Sequence, residues 1–464
     1  MPQSSHVSRR NVLRVGSLAI SASAWPTAAS AATVGDAEAK RASAQSVIVL
    51  TMLGGVTHID SFDPKPAASE EVRGTLASIA TRLPGVQFSE VMPRLANIAD
   101  RFALVRSFSH TNNDHFMSQA HILSGRPVPL SQIKTEPNIG SIVARMQGPR
   151  NQLPGYIAVP GFTFPGPPPT NLFTAGWLGR EYDPFAVIPT PAEPDFTKGA
   201  RRDDPPAEVD EDLRPQALSL PRDLDVDRLA RRSRLRKALD DRLQSAEADG
   251  HYSSAFELLS SSRVRAAFDL GAEPDKLRSD YGRTKIGGRC LLARRLVEAG
   301  ARFVMVDYGY DPDYGNLWDN HNAVSQNHPP ICEIAKREYH LAGIDRAFAA
   351  LITDLETRGL LDSTLVVFLT EFGRTPKINS RGGRDHWGPA GSIFFAGGGT
   401  RPGHVIGATD AQGAYPTTRP WSPSDVAATI YRALGIATDE RLYDLQRRPH
   451  FVLPHGEPIA DLFA

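Results

Sequence analysis

Hydrophobic residues along this chain fall into two kinds of run. Residues 46–53, SVIVLTML, are apolar almost without a break and end at Gly54-Gly55. A run that short, apolar on both alternating faces, predicts a central strand of a parallel sheet. Thr364 to Leu369 repeats the pattern and runs straight into Glu371, with Gly373 and Arg374 beside it. The other kind of run has helical spacing. In EYHLAGIDRAFAALITDLETRGL, Leu341, Ile344, Phe348, Leu351 and Leu355 share one helical face, and Gly359 ends the helix. CLLARRLVEAGARFVMVDYGY (290–310) reads as a helix, a cap at Gly300, then a strand from Phe303 to Val306. In SPSDVAATIYRALGI, Ser422 is an N-cap, Pro423 the first helical residue, Asp425 closes a capping box and Gly435 is the stop. Helices alternate with buried strands over residues 45–464. The predicted class is therefore α/β, a mostly parallel central sheet flanked by helices.

The middle of the chain breaks this pattern. Residues 151–225 are rich in proline, as in FPGPPP and PTPAEPDF, and residues 226–250 are highly charged with helical character. We read about 150–280 as an insertion or cap on the core, with a flexible linker as the alternative for 190–220.

Composition narrows the function. The 464 residues carry 52 basic and 52 acidic side chains, so no charge excess points to nucleic acid. No run of 18 apolar residues predicts an integral membrane span. The N-terminus, SRRNVLRVGSLAISASAWPTAASAA, pairs Arg9-Arg10 with a moderately apolar stretch and a small-residue site at Ala29-Ser30-Ala31. It resembles a twin-arginine (Tat) export signal spanning residues 1–31. That implies handling by the Tat export machinery and a periplasmic or extracellular destination. The two cysteines, Cys290 and Cys332, fit no metal spacing. Export would permit a disulfide between them, whereas the apolar helical surroundings of Cys290 favour a buried inert thiol.

Ligands of open α/β sheets bind beyond the carboxyl ends of the strands, and polar clusters follow the apolar runs there. GGVTHIDSFDPKP (54–66) carries His58, Asp60 and Asp63. SHTNNDHFMSQAHILSG (109–125) carries His110, Asn112, Asn113, Asp114 and His115. YGYDPDYGNLWDNH (308–321) carries Asp319 and His321, and GGRDHWGP (382–389) carries Asp385 and His386. Each has a plain structural alternative. Asp63 before Pro64 is a turn former, His58 a supporting donor, Asn112 and Asn113 helix caps, and Asp385 an ion-pair partner. His121 faces away from His115 and reads as structural. With Glu371 after the 364–369 run as the fifth, carboxylates and imidazoles gathered on five loops predict a shared metal site. Mixed donors suit Zn, Mn or Fe, and an oxygen-rich subset suits Ca or Mg.

In order, GG-x-x-H-x-D-x-F-D-P-K-P, NNDH, WDNH, EFGRTPKIN, GRDHW and GATDAQGAYP resemble the bacterial domain of unknown function 1501 over nearly the whole mature chain. That family is sulfatase-like, so the resemblance implies an alkaline-phosphatase-type core with metals at the strand ends. MPRLANIADRFALVRSFSHTNNDHFMSQAHILSGRP is similar to the sulfatase nucleophile segment, and counting back from Ser124-Gly125 places His115 at the nucleophile. A sulfatase has Cys or Ser there, followed by Pro and Arg, where this chain has Met117 and Gln119. TLVVFLTEFG resembles the sulfatase strand ending in an acid and a second ligand. Glu371 takes the acid's place and Phe372 that of the second ligand. Gly54-Gly55 stands where a sulfatase carries paired Asp.

The resemblance implies a divalent ion (Zn, Ca, Mn or Mg) held by members of the set Asp60, Asp319, His321, Glu371, Asp385 and His386. His110, Asn112 and Asn113 would face the substrate. With no Ser, Thr or Cys nucleophile, the expected chemistry is hydrolysis of a sulfate or phosphate ester, small-molecule or glycan, by metal-activated water. His115 or Asp114 would handle the proton, and Arg374 would hold the anion. The alternative is an exported binding protein that has lost turnover. A redox enzyme is disfavoured, because neither cysteine clusters nor a dinucleotide glycine motif occurs.

Overall fold

The computed structural model describes residues 42–161, 174–188, 211–215, 228, 231, 261–322, 326 and 328–463. The N-terminal stretch read as an export signal and the charged stretch 232–250 lie outside the described residues, as does most of the proline-rich stretch.

The central sheet has eight strands: β1 (Ser46–Met52), β2 (Ala103–Phe108), β3 (Tyr156–Val159), β4 (Phe185–Ala186), β5 (Phe303–Asp307), β6 (Thr364–Thr370), β7 (Gly391–Ala396) and β8 (His404–Ile406). Their spatial order is β8-β2-β7-β6-β1-β5-β3-β4. Every neighbouring pair is parallel except the two that involve β7, which runs antiparallel between β6 and β2. β1 is buried along its whole length. Alternation splits its side chains between two cores. Ile48, Leu50 and Met52 enter one, while Val47, Val49 and Leu53 enter the other.

Among the described residues, five longer helices cover these faces: α1 (His115–Ser124), α2 (Ile139–Gln147), α3 (Lys285–Ala299), α4 (Leu341–Thr357) and α5 (Pro423–Ala433). The apolar stripes of α3 and α4 pack on the first core, including the five α4 residues read from the sequence. Those of α1, α2 and α5 pack on the second. The capping box at Ser422 and Asp425 forms as expected. Two strands come from the stretch read as an insertion: β3 and β4 extend the central sheet through β5. Proline density hid them, because both strands are short. Cys290 and Cys332 are free and buried, and burial pushes the Cys290 thiol up, away from reactivity. Among the described residues, no helix is long and apolar enough to cross a membrane.

This topology gathers loops at one edge. The carboxyl ends of β1, β2, β5 and β6 deliver Gly54-Gly55, His110 to His115, Asp319 and Glu371. Because β7 is reversed, the loop entering it, not the one leaving it, lies at that same edge. That is how His386 arrives beside residues from parallel strands.

Candidate metal centre

Glu371 follows β6 and is fully buried. Its Oε1 accepts the Gly54 N–H at 2.7 Å and faces His115 Nδ1 at 2.6 Å. Its Oε2 has no partner. Since a carboxylate can only accept, His115 Nδ1 carries the hydrogen, and Nε2 is left toward Asp319 Oδ1, 3.5 Å away. His386 repeats the arrangement. Its Nδ1 donates to the Asn113 carbonyl at 2.8 Å, and its Nε2 stands 2.9 Å from the same Asp319 oxygen. Two imidazoles thus aim their second nitrogens at one carboxylate oxygen. The candidate ligand atoms of His115, Asp319 and His386 lie within 4.8 Å of one another.

That geometry has two solutions. Protonating both imidazoles would set two cations side by side, their ring centroids only 4.3 Å apart. A divalent cation among the three atoms removes the repulsion and uses both lone pairs. Histidine ligands whose other nitrogen is fixed by a carboxylate or carbonyl are the usual outer support of a metal. The buried Glu371 Oε2 also has no hydrogen-bond partner among the described residues. The residues present therefore fit a divalent ion with two nitrogen donors and one carboxylate, a set that suits Zn, Mn or Fe.

Arg374 holds the frame. It is completely buried and donates to the carbonyls of Gly55, Trp318 and Arg384 at 2.8–3.1 Å, to the Gly54 carbonyl, and to Asp319 Oδ1 at 2.9 Å. It ties the turn after β1 to Asp319 and is not free to clamp a substrate anion, contrary to the sequence expectation. Gly54 is required here. Its φ is +119°, and a Cβ would meet the Asp319 nitrogen and Trp318 Cβ at 2.9 Å. At Gly55, a Cβ would strike the Phe372 ring at 2.5 Å. That ring packs beside His115 and His386.

The remaining expected residues divide. His321 joins the cluster, its Nε2 3.2 Å from Asp319 Oδ2. Asn113 serves through its backbone carbonyl, while its side-chain oxygen accepts the Gly388 N–H at 2.6 Å. Asp114, not Asn112 or Asn113, caps α1 by accepting the Met117 N–H, and it is exposed. His110 braces the backbone instead of lining a substrate surface. Its Nε2 bonds the Glu371 carbonyl and its Nδ1 accepts the Asn112 N–H at 3.2 Å.

Asp60 is not brought to the cluster. Both its oxygens are held by Arg384, at 2.7 and 2.9 Å. Asp385, just before the short strand that begins at His386, is exposed and bonds Asn379 at 3.0 Å, away from the cluster. Asp63 is a structural acid between Lys65, Arg106 and Thr409. His58 bonds the Gly413 carbonyl at 2.7 Å, and His121 bonds Ser424 at 3.1 Å. Sequence reading missed the orienting roles of the Gly54 amide and the Asn113 carbonyl, since backbone groups leave no residue-type signature.

The electrostatics follow from the contacts. Burial opposes charge on His115, but the Glu371 and Asp319 carboxylates outweigh it and raise its pKa from 6.5 to about 10. Burial likewise opposes the Asp319 charge, yet hydrogen bonds from His115, His321 and His386, with Arg374 nearby, hold it well below the usual carboxylate range. The folded pKa of His115 is the higher one. In metal-free protein its stabilisation is therefore fully present below about pH 6.5 and is lost as pH rises through about 10. A metal must displace that proton, so apparent affinity should rise by about tenfold per pH unit between pH 6 and 8. Chelator-buffered titration checks this; a flat profile would show that His115 is no ligand.

The fold and cluster together define an α/β protein with a two-histidine, one-aspartate centre at the carboxyl edge of its sheet. Residues 44–463 match the family described as Protein of unknown function (DUF1501), and the chain belongs to that family. No curated protein matches the sequence. Among solved structures, the chain is similar to a phosphonate monoester hydrolase from Silicibacter pomeroyi, at 12% identity and a TM-score of 0.38 over 90% of this chain and 76% of that one. It is also similar to a sulfatase from Pseudoalteromonas sp., at 14% identity and 0.37 over 86% and 69%. A third is the phosphonate monoester hydrolase of Agrobacterium radiobacter, at 15% and 0.34 over 90% and 77%.

Proposed function

We propose that this protein is an exported, divalent-metal-dependent hydrolase of sulfate or phosphate esters, acting on a small-molecule or glycan ester. The observation that supports the metal is the convergence of His115 Nε2 and His386 Nε2 on one oxygen of Asp319. When bound, a divalent ion supplies Lewis acidity toward an ester oxygen and lowers the pKa of water. Three protein ligands leave coordination positions open, as catalytic sites require.

The chain's own residues do the rest. His115, Asp319 and His386 would hold the ion. Glu371 and Asn113 fix the two imidazoles, and Arg374 fixes Asp319. Position 115 carries no hydroxyl or thiol, so water serves as the nucleophile. To His321, which lies partly exposed on the far oxygen of Asp319, and to the exposed Asp114 this reading assigns the movement of protons. Export rests on the Arg9-Arg10 and Ala29-Ser30-Ala31 motifs. Cell fractionation tests it, and protein retained wholly in the cytoplasm overturns it.

The same missing nucleophile favours a second reading, a binding protein that holds the ion without turnover. Metal analysis of the purified protein, followed by a screen of sulfate, phosphate and phosphonate esters, separates the two. Bound metal with turnover supports the hydrolase, bound metal without turnover on any ester supports the binder, and no bound metal overturns both.

Glu371→Gln tests the outer support. The amide keeps an acceptor near Gly54 but removes the charge that holds His115 Nδ1–H. Metal affinity should fall about 10- to 100-fold, the range for such outer residues. Chelator competition measures it, and parental affinity would show that Glu371 does not act through His115.

A further inference from the structure

Among the described residues, five large hydrophobic side chains are strongly exposed, and three of them sit on one hairpin: Tyr443 at 59%, Leu445 at 75% and Phe451 at 45%. The hairpin pairs Arg441–Tyr443 with Pro449–Phe451. It lies outside the metal centre and plays no part in the proposed chemistry.

The turn is rigid. The Asp444 carboxylate accepts the backbone N–H groups of Gln446 and Arg448 at 2.9 and 2.8 Å and the Arg448 Nε at 2.6 Å, and it lies 3.2 Å from His450 Nε2. His450 in turn stacks on Trp177 at 4.3 Å, and Leu442 is buried beneath. Arg126 holds the carbonyls of Phe451 and Val452 at 2.8 Å. The apolar side chains are therefore presented by an anchored element, and no local collapse can hide them.

Charge is mixed at the base of the hairpin, where Arg441 follows Asp439 and Glu440, and net basic at its tip. Asp439 and Glu440 lie at its base and Arg447 and Arg448 at its tip. Arg448 is neutralised by Asp444. Arg441, whose guanidinium lies over the Phe451 ring at 5.5 Å, and Arg447 are exposed, and neither has an ion-pair partner among the described residues.

What covers this patch must suit its size and charge. The exposed apolar area is on the order of a few hundred Å², no more than the apolar share, a little over half, of the roughly 800 Å² per partner of a stable protein interface. A lipid surface needs less. A few aromatic and aliphatic side chains entering the headgroup region, with arginines among the phosphates, suffice for peripheral binding. Tyrosine favours that boundary because one end is apolar and the other polar. We propose that the 441–451 hairpin docks the protein peripherally on an anionic lipid surface.

Flotation of the full chain with vesicles tests this. The protein should float with 7:3 phosphatidylcholine–phosphatidylglycerol vesicles, scarcely with pure phosphatidylcholine, and progressively less as salt rises. Tyr443→Ser with Leu445→Ser should cut the bound fraction at least about tenfold. Arg441→Gln with Arg447→Gln should weaken binding to the anionic vesicles alone. Thermal melts confirm that each variant is folded. Failure to float with the anionic vesicles overturns the proposal, as does equal binding to both vesicle types. Concentration-dependent dimerisation abolished by Leu445→Ser would also overturn it, by assigning the patch to a second copy of the chain.

Discussion

Asp319→Asn is expected to abolish specific metal binding, lowering affinity more than about a hundredfold and so beyond the range for outer residues. Asp319 is the one anionic donor shared by His115 and His386, and it also accepts from Arg374 and faces His321. The amide keeps one oxygen for Arg374 but loses the charge that draws a cation between the imidazoles. A second effect follows from the same contacts. With Asp319 neutral, only Glu371 supports a proton on His115, so its pKa should drop below its present value of about 10. The stability that metal-free protein loses between about pH 6.5 and 10 should shrink accordingly. Equilibrium dialysis with the metal, beside melts of chelated protein across that pH window, measures both. A variant that keeps parental affinity and parental pH dependence would remove Asp319 from the centre.

Much of this was legible in residue order. The runs at 46–53 and 364–369 announced buried strands because a strand covered on both faces must be apolar at every position. The α4 stripe and the Ser422 capping box were readable because helical spacing and cap chemistry are local. Long-range pairing was not. Nothing in residues 391–396 says that this strand runs backwards, yet that reversal carries His386 to the edge where Asp319 waits.

The same limit governs the site residues. Asp60, Asp319 and Asp385 looked alike in sequence, each an acid in a polar loop. The roles of Asp319 and Asp60 depend on what approaches from more than 50 positions away, Arg374 reaching Asp319 and Arg384 reaching Asp60. Glu371 stood out in the sequence as an acid at the end of an apolar run. Its direction toward His115 and the Gly54 amide depended on the glycine-permitted approach of the turn after β1 to Trp318 and Asp319.

Asp60 and Arg384 supply the contrasting result. Arg384→Met should destabilise the protein by about 3–5 kcal/mol, the usual cost of breaking a buried pair from one side, and should leave metal affinity within about twofold of the parent. Both side chains are essentially inaccessible, and the pair is bidentate. Arg384 also ties the Asp60 loop to the carbonyls of Val72, at 2.7 Å, and Pro376. Removing it strands a carboxylate in the interior, where Thr57, at 2.7 Å, is the remaining side-chain donor. Asp60→Leu added to Arg384→Met removes the stranded charge and should recover part of the loss, because an apolar pair is often no less stable than the ion pair it replaces. Denaturant melts of the three proteins, with metal content measured on each, test the assignment. If Arg384→Met loses metal while keeping its stability, Asp60 belongs to the metal centre and the division between the two acids is wrong.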